Sequence, residues 1–167
     1  MPCGWSPRSN RLELHQQPKC GRMDIIPIDE AGRLFISPAI DEWKGLEELG
    51  ITTVIDLDGD IDAGIPRAID HLIYIYFPIY DGNTLPDLNK LYGIAHLGAN
   101  LVQSGQKVLS HCGLGFNRSA LVAGLILVEM GMSGEDAVAL LRKRRPGALW
   151  NETFAKEVLR SREPRTR

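Results

Sequence analysis

A chain of 167 residues with a formal net charge of −2 and 44% hydrophobic residues has the size of one well-buried domain and lacks the global basic field that draws a polyanion. No apolar run reaches the roughly twenty residues that span a bilayer and the first residues lack a signal peptide's apolar stretch, so a cytoplasmic protein with no membrane contact is expected. Three cysteines (Cys3, Cys20, Cys112) are too few for a disulfide framework and four scattered histidines make no zinc-ligand pattern, which leaves one working thiol and no metal or cofactor as the expectation.

Residues 1–22 are rich in Pro, Gly, Ser, Arg, Gln and Asn without apolar periodicity. They read as a flexible leader, with Met23 as an alternative start, and 23–167 as a single domain. Ile25 to Pro27 and Arg33 to Ile36 favour short strands joined by the turn Asp29 to Gly32, a pair suited to one side of a sheet. Ser37-Pro38 reads as an N-cap and first-turn proline for a helix carrying Ile40, Trp43, Leu46 and Leu49 up to Gly50. Thr52 to Leu57 is a β-branched run typical of a buried parallel strand, followed by a loop from Asp58 to Pro66.

His71 to Pro78 predicts another strand, ending in the loop Ile79 to Pro86. Leu88, Leu91, Tyr92, Ala95, Ala99 and Val102 trace one helical face that stops at Gly105, and Lys107 to Ser110 forms the next strand. Strand, helix, strand makes a parallel βαβ unit. From Ala120 to Met130 only Glu129 is charged, which predicts a buried helix. Ser133 with Asp136 forms a capping box for a helix through Arg144, and Asn151 caps a last helix carrying Phe154, Val158 and Leu159. The expected fold is α/β, with a central, mainly parallel twisted sheet of four to five strands flanked by helices.

Between the strand at 107–110 and the helix that begins near Asn117 lies His111-Cys112-Gly113-Leu114-Gly115-Phe116-Asn117-Arg118-Ser119. Such a loop wraps backbone N–H groups around a tetrahedral anion, with a helix N-terminus aimed at the same spot. That positive setting is the one in which a cysteine reacts as its thiolate. Arg118 supplies a planar fork that grips two oxygens of the anion, which a lysine cannot do.

In this strand, loop and helix context, the His-Cys-x-x-Gly-x-x-Arg-Ser motif formed by His111, Cys112, Gly115, Arg118 and Ser119 resembles that of the cysteine-dependent protein tyrosine phosphatases, small dual-specificity branch. The resemblance covers about residues 25–160 and implies a dual-specificity-phosphatase-like fold and a phosphatase catalytic domain over 23–167. By that resemblance Cys112 attacks phosphorus to form a phosphocysteine. Arg118 and the amides of Gly113, Leu114, Gly115, Phe116 and Asn117 hold the phosphate, and Ser119 assists departure of the sulfur. His111 then supports the nucleophile without touching substrate, and no metal is needed.

The family takes its general acid from an aspartate about thirty residues before the cysteine, a place that Asp81 holds beside Gly82. Asp87 is the rival and also suits a helix cap. Asp56, Asp58 and Asp60 read as solvated loop carboxylates. Asn151 matches an asparagine that braces the loop from behind. Glu157 stands where many relatives have a glutamine near the hydrolytic water, and helix packing is its simpler role. The run Arg142 to Arg145 reads as a solvated helix end complementing the dipole.

The expected substrates are phosphotyrosine, with phosphoserine and phosphothreonine, in proteins, or small phosphate monoesters, and phosphate-like oxyanions such as vanadate are the expected inhibitors. The alternatives are an RNA 5′-triphosphatase, suggested by Gly115 to Arg118 but disfavoured by the chain's acidity, and a catalytically dead phosphate-binding module.

Overall fold

A computed structural model of the protein describes residues 24–67 and 71–161. The expected leader at 1–22, with Cys3 and Cys20, lies outside them. The elements in chain order are β1 (Ile26–Pro27), β2 (Leu34–Ser37), α1 (Lys44–Leu49), β3 (Thr53–Asp56), β4 (Ile73–Tyr76), α2 (Leu88–Gln103), β5 (Val108–His111), α3 (Arg118–Glu129), α4 (Gly134–Arg144) and α5 (Glu152–Arg160). One five-stranded sheet has the order β1-β2-β5-β3-β4, and all its strands are parallel except β1, which pairs antiparallel with β2. This is the α/β architecture that the alternation of strand and helix patterns predicts.

The strands alternate their side chains between two apolar cores. Leu34, Ile36, Ile55 and Val108 enter the larger one with the helices α2 to α5, whereas Phe35, Val54 and Leu109 face Ile40, Leu46 and Ile51 around α1. Both sheet faces are therefore covered, as a parallel sheet requires. The most enclosed element is α3, buried from Ser119 to Leu127. Its approach to α2 depends on Gly98, where an added Cβ would lie 2.6 Å from Cδ1 of Ile126.

Local signals explain most helix starts. Asp87 caps α2 by accepting the Lys90 N–H, Ser133 caps α4 by accepting that of Asp136, and Asn151 caps α5 with those of Thr153 and Phe154. Asp87 thus does the capping work that its place after Pro86 suggests. The first helix departs from expectation. Ser37 ends β2 in register with His111 instead of capping a helix, and its hydroxyl donates to the Pro38 carbonyl. The helix begins only at Lys44 because the intervening backbone is taken up by the loop after β5. The Ala39 N–H donates to the Gly113 carbonyl at 3.3 Å.

The ends of the parallel strands form one row: Ser37 and Asp56 both pair with His111, and Tyr76 pairs with Asp56. Loops leaving that row converge above β5, where parallel sheets place their chemistry. Among the described residues, no helix is long and apolar enough to cross a membrane.

Candidate active site

The loop from Cys112 to Asn117 leaves the central strand and turns directly into α3. Its tight course depends on Gly115, which has φ +69°. A Cβ there would stand 2.6 Å from the backbone of Ser37 and Pro38, so both conformation and space exclude a side chain. Cys112 is 2% exposed. Its Sγ accepts the Gly115 N–H at 3.2 Å and lies 3.6 Å from the Ser119 hydroxyl. The sulfur therefore sits between a backbone N–H donor and the Ser119 hydroxyl at the amino end of a twelve-residue helix.

Arg118, the first residue of α3, is anchored through one nitrogen. Its Nη1 donates to the Leu57 carbonyl at 3.1 Å, to Asp58 Oδ1 at 3.0 Å and to the Ile79 carbonyl at 3.4 Å. Its Nε is buried and has no hydrogen-bond partner among the described residues. A guanidinium tied down along one edge keeps the other edge for a two-point grip on an anion. Asp58, expected to be a solvated loop carboxylate, is instead a partner of this arginine. It occupies that place because β3 lies beside β5 and delivers the loop 57–59 to the mouth of the cradle. Local spacing carries no signal for the pairing.

Asp81 reaches the same region from the loop after β4. A cleft of about 440 Å³ is lined by Asp58, Gly59, Pro78, Ile79, Tyr80, Asp81 and Arg118, and Asp87 is not among them. Both carboxylate oxygens of Asp81 accept side-chain amides: Oδ2 from Asn117 Nδ2 at 3.0 Å and Oδ1 from Asn151 Nδ2 at 2.9 Å. Asn151 Nδ2 also donates to the Gly82 carbonyl, and the Asn151 N–H donates to Asn117 Oδ1. Asn117 therefore makes no side-chain cap for α3. Its amide joins the cradle to the Asp81 loop, and Asn151 grips that loop as well as capping α5.

Behind the cradle is a buried polar cluster. His111 and Asp56 are fully buried, with His111 Nε2 2.8 Å from Asp62 Oδ2 and 3.5 Å from Asp56 Oδ1. The Tyr74 hydroxyl donates to Asp56, lies 3.0 Å from Asp62 Oδ2 and accepts the Asp62 N–H. Burial raises the Asp62 carboxyl above the ordinary carboxylate range against the pull of His111, and burial followed by the bond to Asp56 raises the Tyr74 phenol. Asp56 is thus not solvated, which corrects the expectation from its loop-edge position: as the last residue of β3 it faces His111 across the sheet. Asp56, Asp62 and His111 are also the grouping among the described residues whose ligand-type atoms come close enough, within 4.8 Å, to hold a metal ion. Asp60 remains exposed.

The basic run that closes α4 is likewise more than a solvated helix end. Arg142 donates to the carbonyls of Ala148 and Leu149. Arg145 is 8% exposed, donates to the Leu114 carbonyl at 3.1 Å and stacks over Phe116 with its guanidinium 4.0 Å from the ring centre. These arginines secure the outer wall of the cradle, whereas Lys143 and Arg144 stay in solvent. Glu157 is buried and accepts the Tyr92 hydroxyl at 2.6 Å. It joins α5 to α2 and is not among the residues lining the cleft.

Comparison with known proteins agrees with this geometry. Residues 35–163 match the family model described as dual specificity phosphatase, catalytic domain. The human protein tyrosine phosphatase type IVA 3 is 27% identical over 131 residues, which span 74% of this chain and 76% of that protein. Among solved structures, Tk-PTP in the active form superposes with a TM-score of 0.63 at 29% identity over 85% of this chain and 97% of that one. Human DUSP28 superposes with a TM-score of 0.69 at 21% identity over 82% and 91%, a likeness of fold.

Proposed function

The chain belongs to the dual specificity phosphatase family, and on that premise we propose that it hydrolyses phosphotyrosine, and also phosphoserine and phosphothreonine, through a phosphocysteine intermediate. The observation that carries this reading is the convergence on one cleft of a recessed cysteine, an arginine with a free edge and an aspartate from a separate loop. The Cys112 sulfur attacks phosphorus in line with the departing oxygen while Arg118 and the loop amides hold the three equatorial oxygens. The bond from phosphorus to the ester oxygen breaks, and Asp81 gives that oxygen its proton.

Both Asp81 oxygens accept amides, and the oxygen that carries the proton keeps a lone pair for its amide while it donates to the ester oxygen. In the second half, water attacks the phosphocysteine, the bond from phosphorus to sulfur breaks, Asp81 takes the water proton and Ser119 donates to the sulfur. Protein groups alone carry these steps, so the reaction runs without a metal. A single phosphate also suits the cleft better than the polyphosphate of an RNA 5′ end, because two carboxylates and one arginine line it.

The test is phosphate release from para-nitrophenyl phosphate and from a phosphotyrosine peptide, with triphosphorylated RNA alongside and with a chelator present. Hydrolysis of both monoesters, blocked by vanadate and reduced on the order of 10⁴-fold or more in Cys112→Ser, is the expected result. Activity that survives in Cys112→Ser overturns the nucleophile. A wild-type protein that binds vanadate without turnover makes the domain a phosphate-binding module.

A further inference from the structure

Tyr76 ends β4, the edge strand of the sheet, and is not among the residues that line the cleft. Its hydroxyl donates to the Gly59 carbonyl at 2.6 Å. Desolvation, and after it the charges of Asp56, Asp60 and Asp58, push the Tyr76 phenol above its ordinary value, so the group keeps the proton that it donates.

What this bond fastens is the turn that carries Asp58. The Asp58 N–H donates to Asp56 Oδ1 at 2.9 Å, and the carbonyl of the next residue is the one that Tyr76 holds. Between these two ties the Asp58 carboxylate uses a single oxygen, Oδ1, to accept both the Gly59 N–H and Arg118 Nη1, each at 3.0 Å. The path from the edge strand to the arginine is therefore continuous: Tyr76, Gly59, Asp58, Arg118.

For Arg118 the consequence is orientation. Leu57 and Ile79 offer Nη1 neutral carbonyls, whereas Asp58 offers it a charged acceptor, and a charge-assisted bond is the strongest of such ties. Nη2 lies on the cradle side, where a Cβ added to Gly113 would stand 3.3 Å from it. Asp58 Oδ2 stands equally close to that point, so Asp58 both orients the cation and repels the anion. Orientation is the larger effect, because the Asp58 charge is paired with the guanidinium and its side chain is 33% exposed, which screens the repulsion.

Resting on the phosphatase reading above, which makes the cradle a phosphate site, we propose that Tyr76 is a positioning residue for that site. Through the Gly59 carbonyl it holds Asp58 in the place from which Asp58 orients Arg118.

The experiment measures the Kd for vanadate, kcat/KM on para-nitrophenyl phosphate and on a phosphotyrosine peptide, and the unfolding midpoint. The variants are Asp58→Ala, Asp58→Asn, Tyr76→Phe and the double variant Tyr76→Phe with Asp58→Ala. Asp58→Ala is expected to weaken vanadate binding about tenfold, the loss of one charge-assisted hydrogen bond, and to lower kcat/KM by a similar factor on both substrates. Asp58→Asn keeps an acceptor for Nη1 and returns both quantities to within about threefold of the wild type. Tyr76→Phe weakens vanadate binding about threefold and adds nothing in the Asp58→Ala background, since it acts through Asp58.

A Tyr76→Phe protein with a lowered unfolding midpoint and wild-type vanadate binding overturns the proposal, and so do additive losses in the double variant. Tighter vanadate binding in Asp58→Ala makes Asp58 a repelling charge and overturns it as well. A wild type that binds vanadate without turnover overturns the phosphatase reading alone, because the vanadate comparison still tests Tyr76. One that binds no vanadate overturns both.

Discussion

The two halves of the cleft are held in different ways. The cradle is fixed by backbone and burial: Gly115 is pressed against Ser37 and Pro38, Cys112 and Ser119 are enclosed, and Arg145 braces Leu114 and Phe116 from outside. The Asp81 loop is held chiefly by the side-chain amides of Asn117 and Asn151, beside an exposed Tyr80. A nucleophile and its anion site gain from rigidity, because any reorganisation adds to the barrier. A proton donor that must meet the leaving oxygens of different substrates gains from ties that can adjust singly.

Substitutions on each half should fail in different ways. After the loss of the nucleophile itself, Asp81→Asn carries the next largest expected effect, a loss of roughly 10²–10⁴ in turnover on esters with poor leaving groups and a much smaller loss on para-nitrophenyl phosphate. Stability should fall by about 1 kcal/mol, because one of the two amide ties then meets a donor, and Asp87→Asn serves as the control; if Asp87→Asn shows the larger kinetic defect, the acid lies on the helix cap. Gly115→Ala strikes the rigid half. It should lower kcat/KM by about 10² for good and poor leaving groups alike, since misplacing the anion site penalises every substrate, and it should also lower the unfolding midpoint. A variant that loses activity only on poor leaving groups would erase the distinction between the halves.

Asn151→Ala touches both halves at once and carries the smallest effect. Removing the cap costs about 1 kcal/mol of stability, read by denaturant unfolding. Freeing one side of Asp81 should reduce turnover on poor leaving groups by about tenfold while phosphate or vanadate binding stays unchanged. Weakened vanadate binding would show that Asn151 supports the cradle more than the acid loop.

Much of this is written locally. The β-branched run of β3, the apolar face of α2, the caps at Asp87, Ser133 and Asn151 and the strand, loop and helix around Cys112 each depend on residues a few positions apart, and each is found where those residues predict. The start of α1 was illegible for the opposite reason. Ser37-Pro38 is a good local cap, yet it is overruled by the register of β2 against β5 and by the bond from Ala39 to Gly113.

The same divide runs through the cleft. Sequence chemistry was enough to pick out the Cys112 loop and to nominate Arg118, because a tetrahedral anion needs amides, a helix end and a planar cation at fixed short spacing, whereas Asp81 was nominated only through the family resemblance. Tertiary structure alone decided that Asp58 would anchor Arg118 across 60 positions, that Asn151 would reach Asp81 across 70, and that Asp56 would be buried against His111. The Asp58 and Asp56 pairs form because the order β2-β5-β3-β4 sets the ends of separate strands in one row, the Asn151 pair because the N-terminus of α5 lies against the Asp81 loop, and neither kind of contact leaves a periodic trace in the chain.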